Sequence, residues 1–94
     1  MSDFNIPVDT FIHETFECMA SVCAAFKDAV LSFQDIQLHT RRNSTDLQLV
    51  AGSTLLSIPL SNILSVERLT FPDIHTIEYE ISTKDGSTVT VDAF

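Results

Sequence analysis

The chain predicts an α+β fold, with one long N-terminal helix packed on a five- to six-stranded antiparallel meander sheet that is open or partly closed into a barrel. Three observations carry this expectation. Apolar residues recur at helical spacing from Ile12 to Phe33, the pattern changes to period two after Gln34, and turn chemistry appears at Gly52-Ser53 and Asp85-Gly86. At 94 residues, without repeats or linkers, residues 1–94 make one domain with one core.

The helix is expected over residues 9–32. Asp9 or Thr10 caps its start, and Glu14 and Glu17 sit where the helix dipole favours negative charge. Ile12, Phe16, Met19, Cys23, Phe26, Val30 and Phe33 follow a 4-3-4-3-4-3 spacing. Phe11, Val22, Ala25 and Ala29 widen this stripe enough to lie on a sheet. Such a rod is about 36 Å long, while a six-residue strand spans only about 20 Å. The overhang, with Phe26, Val30 and Phe33 on its apolar face, predicts a homodimer through the N-terminal helix.

The strands follow in order. In DIQLHT, Ile36, Leu38 and Thr40 share a face, and in DLQLVA, Leu47 and Leu49 do. A two-residue turn at Gly52-Ser53, type II′ with glycine first, sets Leu49 against Leu56 and Leu47 against Ile58. Pro59 marks a sheet edge or a strand end. A turn over Ser61-Asn62 leads into a strand through Val66, and TFPDIH reads as a loop. A three-residue loop of Lys84, Asp85 and Gly86 sets Ile81 against Val89, Tyr79 against Val91 and Ile77 against Ala93. On the opposite face the same register puts Glu80 against Thr90 and Glu78 against Asp92, an unfavourable meeting of like charges.

Thirteen acidic residues against five basic ones give a net charge of −8, which repels a phosphate backbone and argues against direct nucleic-acid binding. Charged residues interrupt the apolar segment, so it is not a membrane span. The start MSDFNIPVD lacks the basic region of a secretory leader, and together with two unpaired thiols this suggests a cytoplasmic location. Cys18 and Cys23, five apart, fit neither a redox pair nor a zinc knuckle; Cys23 is expected in the core and Cys18 off the seam. His13, His39 and His75 fall in three separate elements without metal-ligand spacing. With two glycines there is no phosphate loop, dinucleotide fingerprint or nucleophile elbow. No enzyme, cofactor or metal site is therefore expected.

The stretch TDLQLVAGSTLLSIPLSNILSVE, Thr45 to Glu67, resembles the strand-hairpin-strand run of pleckstrin-homology-like and GRAM-type modules. HTIEYEISTKDGSTVTVDAF is similar to the hairpin that follows in such modules. The resemblance implies an antiparallel β module. Those modules carry a C-terminal helix, whereas here the helix comes first, and the basic patch behind their lipid recognition is missing.

The function expected is that of a small acidic cytosolic protein–protein interaction module. Glu78, Glu80 and Asp92 would form an acidic strip for a protein partner with a basic surface. The alternative is an inhibitor or decoy, of viral or mobile-element origin, whose acidic surface occupies a basic nucleic-acid-binding cleft of a host protein.

Overall fold

Period two begins at Glu17, not after Gln34. In the computed structural model, which describes residues 4–71 and 75–94, residues 17–25 run extended, with Ala20, Val22 and Ala24 buried in alternation. Their opposite face carries Met19, Cys23 and Ala25, all exposed. Both faces being apolar or small, hydropathy does not alternate, and the apolar spacing imitates a helix. The long helix is therefore a correction: the chain is mostly β, with one short helix.

The elements are β1 (Phe4–Asn5), α1 (Val8–Thr15), β2 (Glu17–Ala25), β3 (Val30–Arg42), β4 (Asp46–Ala51), β5 (Thr54–Pro59), a single 3₁₀ turn (Leu60–Asn62), β6 (Ile63–Phe71), β7 (Thr76–Thr83) and β8 (Thr88–Ala93). They form one antiparallel sheet in the order β1-β6-β7-β8-β2-β3-β4-β5, curled into a half-barrel. Two meanders, β2 to β5 and β6 to β8, are joined where β8 pairs with β2.

Helix α1 is short because its last residues are claimed by the sheet. Phe11 and Thr15, one turn apart, are fully buried. The Thr15 hydroxyl donates to the Phe11 carbonyl at 2.7 Å and lies 2.9 Å from the Thr40 hydroxyl. Thr40 N–H donates to the Phe16 carbonyl at 3.2 Å, which draws the chain beside β3. The N-cap position is Pro7, without a side-chain cap, so neither Asp9 nor Thr10 holds it. Asp9 instead accepts from Arg42 at 3.0 Å.

The β2–β3 turn escaped sequence reading because its central residues, Lys27 and Asp28, are not turn formers of the glycine type. Phe26 N–H donates to the Ala29 carbonyl at 2.7 Å and closes it. Further along, Ser21 stands opposite both Gln34 and Asp35, a β-bulge in which Asp35 takes φ +52° and donates its N–H to Ser21 Oγ at 3.3 Å. Aspartate is among the few residues that tolerate that conformation.

The registers read from the two later turns hold. Leu47 faces Ile58, Leu49 faces Leu56, Ile81 faces Val89, Tyr79 faces Val91 and Ile77 faces Ala93. Gly52 takes φ +63° and Gly86 φ +90°. Asp85 accepts from the Thr83 hydroxyl at 2.5 Å and Ser87 N–H at 3.0 Å, which hold its carboxyl at about 2. Pro59 ends the edge strand β5.

The core combines Phe11 with Ala20, Val22, Ala24, Leu38, Leu47, Leu49, Ile58, Val66, Tyr79, Ile81, Val89 and Val91. The sheet contribution matches expectation closely, while the helical one does not. Phe16, Met19 and Val30 are exposed at 53%, 43% and 64%, and Cys23 is exposed as well. Cys18 is half-buried, and burial pushes its thiol up. The thiols thus exchange the roles expected of them. Labelling of the native protein should modify Cys23 at least about tenfold faster than Cys18, since only thiolate reacts. Equal rates would contradict this placement of β2.

Candidate functional site

Two clusters of charged side chains stand out, one on each side of the sheet. The first lies on the outer face of β6, β7 and β8. Glu67 pairs with Glu80 across β6 and β7, and Glu78 pairs with Asp92 across β7 and β8. Glu78 and Glu80, two apart on β7, share that face. Four carboxylates thus occupy neighbouring positions on three strands. Their outward neighbours, Leu69, Phe71, Thr76, Ser82, Thr88, Thr90, Ser21 and Cys23, include no base.

Glu78 and Asp92 line a groove of about 370 Å³ with Ser21, Phe71, Thr76 and Phe94. Phe71 and Phe94 are 40% and 61% exposed. Burial raises the Glu78 pKa above the usual carboxylate value, and the hydrogen bond and negative charge of Asp92, with that of Glu80, raise it further. Opposed carboxyls of this kind disfavour full ionisation, and a bound cation would favour it.

The second cluster clamps α1 to the sheet. Arg68 of β6 occupies an inward position, opposite Tyr79 of β7, and its guanidinium meets the Glu14 carboxylate. The Tyr79 hydroxyl donates to Glu14 Oε1 at 2.7 Å, and the Phe11 and Tyr79 rings meet edge-on at 5.3 Å. Burial works against the Glu14 charge, but Arg68 and Tyr79 outweigh it and hold the carboxyl below its ordinary range. Burial and the same carboxylate push the Tyr79 phenol up. His13, Thr70 and Ile77 complete a cleft around the trio. The arrangement is that of a structural lock: each charge is answered by a neighbour. Sequence reading overlooked Arg68, although its parity with Val66 in SVERLT already put a charge on the inward face.

The expected site residues therefore separate. Glu78, Glu80 and Asp92 come together on the outer face. Phe26 sits at the β2–β3 turn, half-buried, lining a small cavity with Ser57, Ile58 and Pro59. Val30 and Phe33 lie on β3, the first exposed and the second half-buried. No helical face unites these three, and since α1 ends at Thr15 there is no overhang for a partner helix to cover. The homodimer through the N-terminal helix loses its premise.

His39 approaches Glu17 at 3.8 Å and stacks edge-on with Phe16 at 4.8 Å, both near the surface. Among the described residues no group of three or more histidine, cysteine or acidic side chains converges on a point, and no helix is long and apolar enough to cross a membrane.

No family model, curated protein or solved structure matches the chain.

Proposed function

We propose that the chain is a small acidic protein-interaction module, without catalytic activity, which receives a basic partner surface on the outer face of β6–β8. The observation behind this reading is the set of four opposed carboxylates, Glu67 with Glu80 and Glu78 with Asp92, uninterrupted by any outward base. Like charges directly opposite on a sheet destabilise it by roughly 0.2–1 kcal/mol per pair. Such a cost is relieved when a lysine or arginine enters between them, and the exposed rings of Phe71 and Phe94 offer that cation flanking aromatic faces. A planar guanidinium suits the Glu78–Asp92 pair in particular, since two carboxylates can each accept from it.

The sign of the stability effect separates this role from a structural one. A carboxyl whose folded pKa is raised contributes stability below its unfolded value of 4.5, and that contribution is lost as pH rises through the folded value. At neutral pH Glu78→Gln should therefore stabilise the fold by about 0.2–1 kcal/mol. The gain should vanish below pH 4.5, where the native carboxyl is protonated too. The same substitution should weaken binding.

Titration of isotopically labelled protein with a short lysine- and arginine-rich peptide tests the site. Shift changes should concentrate on the outward positions of β6–β8, fade with salt, and disappear in Glu78→Lys with Glu80→Lys. Shifts spread evenly over all acidic residues, or binding unaltered in the double variant, would return these carboxylates to plain solvation.

A further inference from the structure

The acidic face has an apolar border. Phe71 stands opposite Thr76, Ile77 opposite Ala93, and Ala93 in turn opposite Ala20. One residue on from these pairs, Phe94 falls between Thr76 and Met19, and its N–H donates to the Met19 carbonyl at 3.0 Å. Phe71, Thr76, Phe94 and Met19 thus make one row across β6, β7, β8 and β2. Phe71, Phe94 and Met19 are all exposed, and adjoining exposed apolar side chains mark an interface.

The rows beside it are acidic. Two residues along the strands come Glu78 and Asp92, and two further along come Glu67 and Glu80. Alternate residues of a strand are about 6.8 Å apart. Read along the strands, the face therefore runs apolar, acidic, acidic, at a spacing that residues about four apart on a helix, which advance about 6 Å, come close to matching.

Backbone chemistry selects the shape of the occupant. β7 is paired with β6 and β8, and β8 with β7 and β2, so the middle of this face offers an incoming chain no free ladder groups. A segment lying there must satisfy its own N–H and C=O groups, which a helix does and an extended segment does not.

We propose that the partner element received on the β6–β8 face is a basic amphipathic helix lying along the strands, with an apolar side chain on Phe71, Phe94 and Met19 and bases on the carboxylate pairs.

This rests on the reading of the acidic face as the docking surface and adds the form and order of the partner's residues. One base meets Glu78 and Asp92, about four residues from the apolar anchor, and a second meets Glu67 and Glu80, about four further on. Charge excludes a second copy as the occupant, because it brings the same four carboxylates to a chain of charge −8. The apolar row contributes affinity that salt does not screen, whereas the acidic rows contribute affinity that it does.

Two synthetic helical peptides of identical composition and charge test the proposal. In the first, leucines lie one turn from the arginines on the same face; in the second they lie on the opposite face. The first should bind at least about tenfold more tightly, and added salt should weaken both while preserving the difference. Phe71→Thr with Phe94→Ser should reduce the first peptide to the affinity of the second, with circular dichroism and melting of the free protein unchanged, since both rings are exposed. Met19→Gln, which leaves both rings in place, should weaken the first peptide and spare the second. Equal affinity for the two peptides overturns the helix proposal while leaving the acidic docking surface standing. Binding of neither peptide overturns both. A free protein that dimerises in sedimentation equilibrium, and loses the dimer in Phe71→Thr with Phe94→Ser, puts a second copy on the row and overturns the proposal as well.

Discussion

Phe11→Ala should cost about 3–5 kcal/mol, the largest effect of any single truncation argued for this chain. Phe11 is fully buried, and its ring meets Tyr79 edge-on at 5.3 Å, so the substitution removes apolar burial and leaves a cavity under α1. In a domain of this size that loss lowers the melting temperature by more than about 12 °C. Phe16→Ala, five residues on, should cost under about 1 kcal/mol, because that ring is 53% exposed and meets His39 edge-on near the surface. A long amphipathic helix reverses the order, since it buries Phe16 on its seam. Melting of the two variants side by side therefore decides between the folds, and equal losses would refute the short helix.

The contrast shows where the sequence was legible. From Ile36 onward the strands β4, β7 and β8 set an apolar inner face against a more polar outer one, and Gly52 and Gly86 fix the turns, so registers could be counted from the turn outwards. The placement of Glu78 against Asp92 followed from that count alone. Before Ile36 those signals fail together. β2 carries alanine at two of its buried positions, the strongest helix former, and apolar or small residues on its other face. Lys27-Asp28, without glycine or proline, gives only a weak turn signal, and the bulge at Asp35 shifts the alternation of β3 by one residue. Helix propensity is a weak prior that tertiary pairing overrides, and here β2 sits between β8 and β3, in the middle of the sheet. The acidic face was visible because it needed only local register. The Glu14–Arg68–Tyr79 lock was not, because it joins residues 54 and 65 positions apart.

That lock carries the second large effect. Glu14→Gln keeps the shape of the side chain but removes the charge that answers Arg68, an arginine at an inward strand position, and it weakens the bond from Tyr79. The expected cost is about 0.5–1.5 kcal/mol at neutral pH, because the pair is partly open to solvent, which screens it. Its pH dependence identifies the cause. A carboxyl held below its ordinary value contributes stability that is complete above the unfolded pKa of 4.5 and is lost as pH falls through the lower folded value. Stability of the native chain should therefore decline in that acid window more steeply than stability of Glu14→Gln, and the two curves should converge. Replacing the arginine as well, in Glu14→Gln with Arg68→Met, should recover part of the loss, since an apolar side chain at an inward position needs no partner. A parallel decline of all three proteins would mean that Glu14 contributes only its bulk, and that α1 is held to the sheet by Phe11 and Thr15 alone.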